Sequence, residues 1–144
     1  MTIPNDRFYY GAAAWQLESA FDTIMVSPGP HKNSKHYTMD NAEAVVLYKY
    51  RSEKKSPWSF SLSDQEANTM KHRSADGYVA LICHDDGVCC VSMKELQKLA
   101  GSTKVANVTI NVSRRKGGSY RLVASNGRRL SYSIRQNAWP LKIQ

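Results

Sequence analysis

The sequence predicts an α+β (mixed α/β) domain that closes in a C-terminal antiparallel three-stranded β-meander. Three observations carry that reading. Helix signals recur at three separated places, short β-branched and aromatic runs lie between them, and the last third alternates such runs with glycine-bearing turns.

Taken in order, Tyr9 to Ala20 (YYGAAAWQLESA) is alanine-rich and predicts a helix with Trp15, Leu17, Ala20 and Phe21 as its apolar members. Phe21 to Val26 turns β-like, and Ser27-Pro28-Gly29-Pro30 stops it. A polar loop from His31 to Tyr37 leads into a short strand at His36 to Met39. Ala44 to Tyr50 (AVVLYKY) has a continuous apolar centre, as expected of a central strand buried on both faces. Trp58 to Leu62 alternates as a half-buried strand. Ser63 with Glu66 three residues on forms a capping box for a helix to about Arg73. Tyr78 to Cys83 and Val88 to Val91 flank the turn His84-Asp85-Asp86-Gly87, which marks a hairpin. Ser92 and Glu95 repeat the capping pattern, and Gly101 ends that helix. Val105 to Val112, Ser119 to Ala124 and Arg129 to Ile134 supply the meander, with turns at Lys116-Gly117-Gly118 and Asn126-Gly127. The expected organisation is a core over residues 1–101 and a basic meander, 102–144, packed on it.

A chain of 144 residues with 42% hydrophobic content is long enough for one cored domain and too apolar to be wholly disordered. It has no apolar run approaching the ~20 residues of a membrane span. Met1 to Tyr10 includes Asp6 and lacks the apolar segment of a secretory signal. Three cysteines, an odd number, suit a disulfide framework poorly; the expected setting is reducing and cytoplasmic.

The net charge of +8 is distributed unevenly. Residues 1–72 hold eight basic and eight acidic side chains, whereas residues 73–144 hold twelve basic and four acidic. Beyond Glu95 there are ten cations and no acid. A one-sign stretch of this length favours a polyanionic partner. Arg114, Arg115 and Lys116 stand at one hairpin tip, Arg128 and Arg129 at the next, and Lys104, Arg121 and Arg135 complete the expected phosphate-contacting set. Tyr120, Tyr132 and Trp139 are interleaved aromatics that either stack on unpaired bases or belong to the core. Nucleic acid, DNA in preference to RNA, is the expected partner. An anionic membrane is not expected, because no basic amphipathic helix is present. A homodimer or an acidic protein partner is the alternative.

From Val46 to Leu99 the parts follow a specific order. A buried strand ends in Tyr48-Lys49-Tyr50, then come W-S-F-S-L-S, a helix, YVALI, a DDG turn, another strand and a short S-M-K-E-L helix. Over about residues 10–99 this order resembles the PD-(D/E)XK nuclease-like superfamily. The resemblance implies a restriction-endonuclease-like core sheet flanked by helices, and a setting in DNA processing, restriction or phage defence. It also implies a Mg²⁺ site of carboxylates beside a lysine, since phosphodiester hydrolysis needs a metal to activate water and a cation to stabilise developing charge. Lys49 matches the motif lysine, but the acid two residues earlier is replaced by Leu47. Candidate replacements are Asp40 and Glu18 as catalytic acids, with Asp40, Glu43 and Asp22 as metal ligands. Glu43 shares strand parity with Lys49 but stands about 13 Å from position 47. The expectation is therefore a catalytically degenerate core without cofactor, the alternative being an active Mg²⁺-dependent endonuclease with a rearranged acid set.

Other constellations carry less. Cys83, His84, Cys89 and Cys90 lack a C-x₂-C pair, and adjacent Cys89 and Cys90 point to opposite strand faces, so buried strand cysteines are expected rather than a zinc site. His31, His36 and His72 are scattered in polar segments. No G-x-S-x-G elbow or phosphate loop is present.

Overall fold

The computed structural model describes residues 3–20, 25–28, 34–39, 42–71 and 76–140. Among these described residues, three helices and eight strands follow in the order α1 (Asn5–Ala20), β1 (Met25–Pro28), β2 (Ser34–Met39), β3 (Ala42–Arg51), β4 (Trp58–Phe60), α2 (Asp64–Lys71), β5 (Asp76–Cys83), β6 (Val88–Ser92), α3 (Met93–Ala100), β7 (Ile110–Ser113) and β8 (Arg121–Ala124). A short 3₁₀ turn, Gln136–Ala138, follows. The architecture is mixed α+β.

One sheet has the order β1-β2-β3-β5-β6 and the other β4-β7-β8. β1, β2 and β3 are joined antiparallel, β3 and β5 run parallel across the α2 crossover, and β5–β6 is an antiparallel hairpin. β3 is thus central, as its unbroken apolar run requires, and Val45, Val46, Leu47 and Tyr48 are all buried.

The two faces of this sheet bury different partners. Val45, Leu47, Val79, Leu81, Cys89 and Val91 pack with the inner face of β4-β7-β8 and with Leu96 and Leu99 of α3. Val46, Tyr48, Ala80, Ile82 and Cys90 pack under Ala13 and Leu17 of α1 and against Trp139. The layers are therefore α1, the five-stranded sheet, and then the three-stranded sheet with α2 and α3. Strand alternation produces this: one register step exchanges the partner layer.

Several expectations change. α1 begins at Asn5, a turn earlier than the alanine-rich run suggests. β1 continues through Pro28, which an edge strand tolerates because one side needs no donor. The polar segment 34–37 is strand, not loop, because pairing with β3 satisfies its backbone. The C-terminal third does not form a three-stranded meander of its own. β4 supplies the third strand by pairing with β7, while the run from Arg129 to Ile134 contributes only the bridges Val123–Arg129 and Tyr120–Ile134. The second sheet thus draws on residues from both sides of position 101.

Both predicted capping boxes form. Ser63 and Glu66 exchange hydrogen bonds at the start of α2, and Ser92 and Glu95 do so at α3. Gly101 ends α3 in the left-handed conformation, φ 76°. No helix among the described residues is long and apolar enough to cross a membrane.

Candidate nucleic-acid interface

The β7–β8 hairpin carries the densest cationic geometry. Strand alternation turns Val112, Leu122 and Ala124 inward and leaves Arg121 and Val123 exposed on β8. The turn bearing Arg115 and Lys116 closes through Gly118 N–H donating to the Arg115 carbonyl at 2.8 Å. Between this turn, β8 and the Pro57 loop lies a cleft of about 470 Å³ lined by Arg114, Arg115 and Arg121 and by the serines at 56, 113, 119 and 133. Guanidinium donors combined with hydroxyls suit phosphate oxygens.

Arg114 is not one of the free cations. Its Nε and Nη2 donate to the two oxygens of Asp86 at 2.8 and 2.7 Å, and the Tyr120 hydroxyl donates to the same carboxylate at 2.8 Å. Nη1 reaches the Arg115 and Gly118 carbonyls and braces the turn. The Arg114 hydrogen bonds hold the Asp86 carboxyl below the usual aspartate range against the opposing effect of burial. Burial pushes the Tyr120 phenol well above its ordinary value, with the Asp86 hydrogen bond acting in the same direction. Arg114 therefore corrects the phosphate-contacting set: it positions the turn from within. Arg115, Lys116, Arg121, Arg128, Arg129, Arg135 and Lys104 are exposed, and none of them pairs with a carboxylate among the described residues.

These seven do not share one patch. Arg115 and Arg121 meet in the serine-lined cleft, whereas Arg128 and Arg129 stand at the opposite end of β8. The Asn126-Gly127 turn before them docks on α3, with the Asn126 amide donating to the Leu99 and Ala100 carbonyls. Lys104 lines another hollow, with α2 and α3.

The proposed stacking aromatics divide. Tyr120 and Trp139 are buried, in opposite cores, and neither is an exposed stacking platform on the cationic face. Tyr132 is half-exposed, but its hydroxyl donates to Glu95 at 2.6 Å and Lys98 lies 5.8 Å from its ring centre. The hydrogen bond to Glu95, with some burial, pushes the Tyr132 phenol up to about 12.

Among the described residues, the nuclease candidates are not brought together around Lys49. Lys49 faces α2, where its ammonium donates to both Glu66 oxygens at 2.9 and 3.0 Å. Burial opposes ionisation of Glu66, but the Ser63 backbone N–H and Lys49 together hold its carboxyl below the ordinary value. Glu18 belongs to α1, which covers the other face of the sheet from Lys49. Glu43 is six residues from Lys49 on the same strand, roughly 20 Å away at strand rise. Asp22 and Asp40 lie outside the described residues. Leu47, in the motif-acid position, is fully buried in the core. No group of three metal-ligating side chains occurs among the described residues. Cys83, Cys89 and Cys90 are buried thiols, Cys89 and Cys90 in opposite cores as expected, and burial raises the Cys83 thiol far above its usual range.

Sequence reading missed Asp86 and Glu66 as long-range partners. Asp86 sits in a turn whose Asp-Gly signature already explains it locally, and Glu66 is already explained as a cap. Comparison with known proteins returns no match: no family profile, curated protein or solved structure is significantly similar to this chain.

Proposed function

We propose that this protein binds nucleic acid through its cationic C-terminal third, on a PD-(D/E)XK-like core that is catalytically degenerate. The observation that carries the reading is the cleft where Arg115 and Arg121, both exposed and without carboxylate partners among the described residues, converge with four serines. Phosphodiester oxygens fit donors of both kinds, and Lys116 extends the positive edge along the turn. Two features support degeneracy: Leu47 occupies the motif-acid position in the core, and Lys49 is bound to a capping glutamate. The order of parts behind the resemblance is retained in β3, α2 and the adjacent parallel β5, although the W-S-F strand joins the second sheet.

The test is a salt titration of binding to short single-stranded and duplex DNA. Each phosphate contact contributes about 0.9 to the log–log slope on duplex DNA and about 0.7 on single strands. Arg115→Ala combined with Arg121→Ala is expected to weaken binding and to reduce the slope by one to two. Unchanged affinity and slope would refute the cleft as the phosphate site, and absence of binding to either DNA would refute the function.

A further inference from the structure

On the other side of the Asp86–Arg114 pair lies a second cleft, of about 650 Å³, between the start of α1, the β5–β6 turn and the 3₁₀ turn. We propose that it receives an unpaired nucleobase of the strand whose phosphates occupy the serine-lined cleft. This inference rests on the nucleic-acid reading.

The lining combines rings with amides. Phe8, Tyr9 and His84 contribute aromatic surface, and Gln16, Gln136 and Asn137 contribute paired donors and acceptors. Planar heteroaromatic bases need both kinds of contact: a face to stack on and an edge to hydrogen-bond. Phe8 is 57% exposed, although it is a large apolar ring on the helix that covers the sheet. Its neighbours are fixed. Tyr9 packs edge-on to Phe8 at 5.3 Å and stacks on Tyr50 at 5.2 Å with only 14° between planes. The Tyr50 hydroxyl bonds His84 Nδ1 at 3.0 Å. His84 has φ 51°, a left-handed conformation that non-glycine residues seldom adopt. The rings are thus held in place, which lowers the ordering cost of stacking a ligand.

Two further features mark the cleft as built. Trp139 lines it, is only 7% exposed, and its indole N–H has no acceptor among the described residues. Gly87 also lines it: a Cβ there would stand 2.8 Å from the Tyr120 hydroxyl and 3.1 Å from Gln136 Nε2. The Gln136 amide in turn donates to the Asp86 carbonyl. Asp86 therefore links the two clefts, lining this one while its carboxylate holds Arg114 at the edge of the other. A base and a phosphate of one strand, separated by a sugar, match two clefts that share one ion pair as their wall.

The test compares a short single-stranded DNA oligonucleotide with an abasic strand of equal length, using the full chain. Base-bearing DNA is expected to bind roughly 5- to 150-fold more tightly, the range for one stacked base. Phe8→Ala and Asn137→Ala, both at exposed positions, should each shrink that ratio while leaving the salt slope unchanged. Thermal melting of each variant establishes that it is folded. Equal binding of both strands, or a ratio untouched by both variants, would overturn the base cleft while leaving the phosphate cleft standing. No binding of either strand would overturn the nucleic-acid reading and this inference with it.

Discussion

Replacing Asp86 with alanine removes the acceptor shared by Arg114 and Tyr120, and its cost follows from what those groups lose. Arg114 and Asp86 side chains are 13% and 21% exposed, so the pair is largely shielded but not sealed from water. Three charge-assisted hydrogen bonds end on this carboxylate. Each such bond contributes a net ~1.5–3 kcal/mol, and stripping one partner from a fully buried pair costs ~3–5 kcal/mol. Water can re-solvate the Arg114 edge but reaches the fully buried Tyr120 poorly. A loss of about 2–4 kcal/mol is therefore expected for Asp86→Ala, with Asp86→Asn intermediate because it keeps one acceptor oxygen. Urea unfolding with a shared m-value gives the number directly. A double-mutant cycle with Arg114→Ala should return a coupling of about 1–3 kcal/mol. Because Arg114 depresses the folded carboxyl, this stabilisation is present above the ordinary aspartate range and disappears as pH falls through the lowered value. The variant and the wild type should therefore converge in stability on acidification. A loss below about 0.5 kcal/mol, or a coupling near zero, would refute the assignment of Arg114 to structure and return it to the phosphate set.

Other perturbations address the remaining joints. Glu66→Ala removes both the α2 cap and the Lys49 partner and should cost about 2 kcal/mol at neutral pH, with Glu66→Gln milder because it keeps the cap acceptor. Since the folded Glu66 carboxyl is lowered, urea unfolding should show that difference vanishing below the ordinary glutamate range. Tyr132 should titrate at about 12 against an ordinary 10.0, visible as a tyrosinate absorbance step that Tyr132→Phe abolishes. Its folded value is raised, so its contribution to stability holds below pH 10 and fades as pH climbs toward 12. Gly101→Ala forces a Cβ into a φ of 76° and against the Arg128 guanidinium, and should destabilise by about 1 kcal/mol in thermal melts. Adding Arg128→Ala should recover the steric part and leave the backbone part.

What the sequence revealed depended on the range of the interaction. β3, the capping boxes and the Asp-Gly and Asn-Gly turns are fixed by residues within a few positions of one another, and each is present. The split of Cys89 and Cys90 between two cores also follows from the two-residue period alone. Partner choice is a different problem. The Trp58 to Leu62 pattern specifies a half-buried strand, yet nothing local says that its hydrogen bonds go to Ile110–Val112 instead of to β3. A carboxylate has about four acceptor sites, and a cap uses only some of them. The rest of Glu66 and Glu95 serve Lys49 and Tyr132, which are 17 and 37 residues away. The pairing of Glu18 with Lys49 is limited for a related reason. Residue type and order suggested Glu18 with Lys49, but α1 and Lys49 lie on opposite faces of the sheet, a fact settled by packing.

The charge asymmetry also acquires a physical meaning that a count of residues lacks. After Glu95 the chain supplies no acid, so any neutralisation of its cations must come from elsewhere in the fold. Among the described residues three carboxylates reach this region: Asp86 from the β5–β6 turn, Glu95 from α3, and Asp64 from α2, which accepts from the Asn107 amide. Asp86 takes the one arginine that is largely buried, and Glu95 takes a tyrosine rather than a cation. This is the allocation expected if desolvation decides the pairing: the guanidinium that cannot stay hydrated receives the counter-charge, and exposed ones rely on water. Arg115 and Arg121 are consequently left facing one cleft, where like charges repel each other. Such an arrangement does not help the isolated fold. An anion in the cleft reverses the sign of that electrostatic contribution, and the serine hydroxyls around it provide hydrogen-bonding groups that a purely repulsive surface would not need.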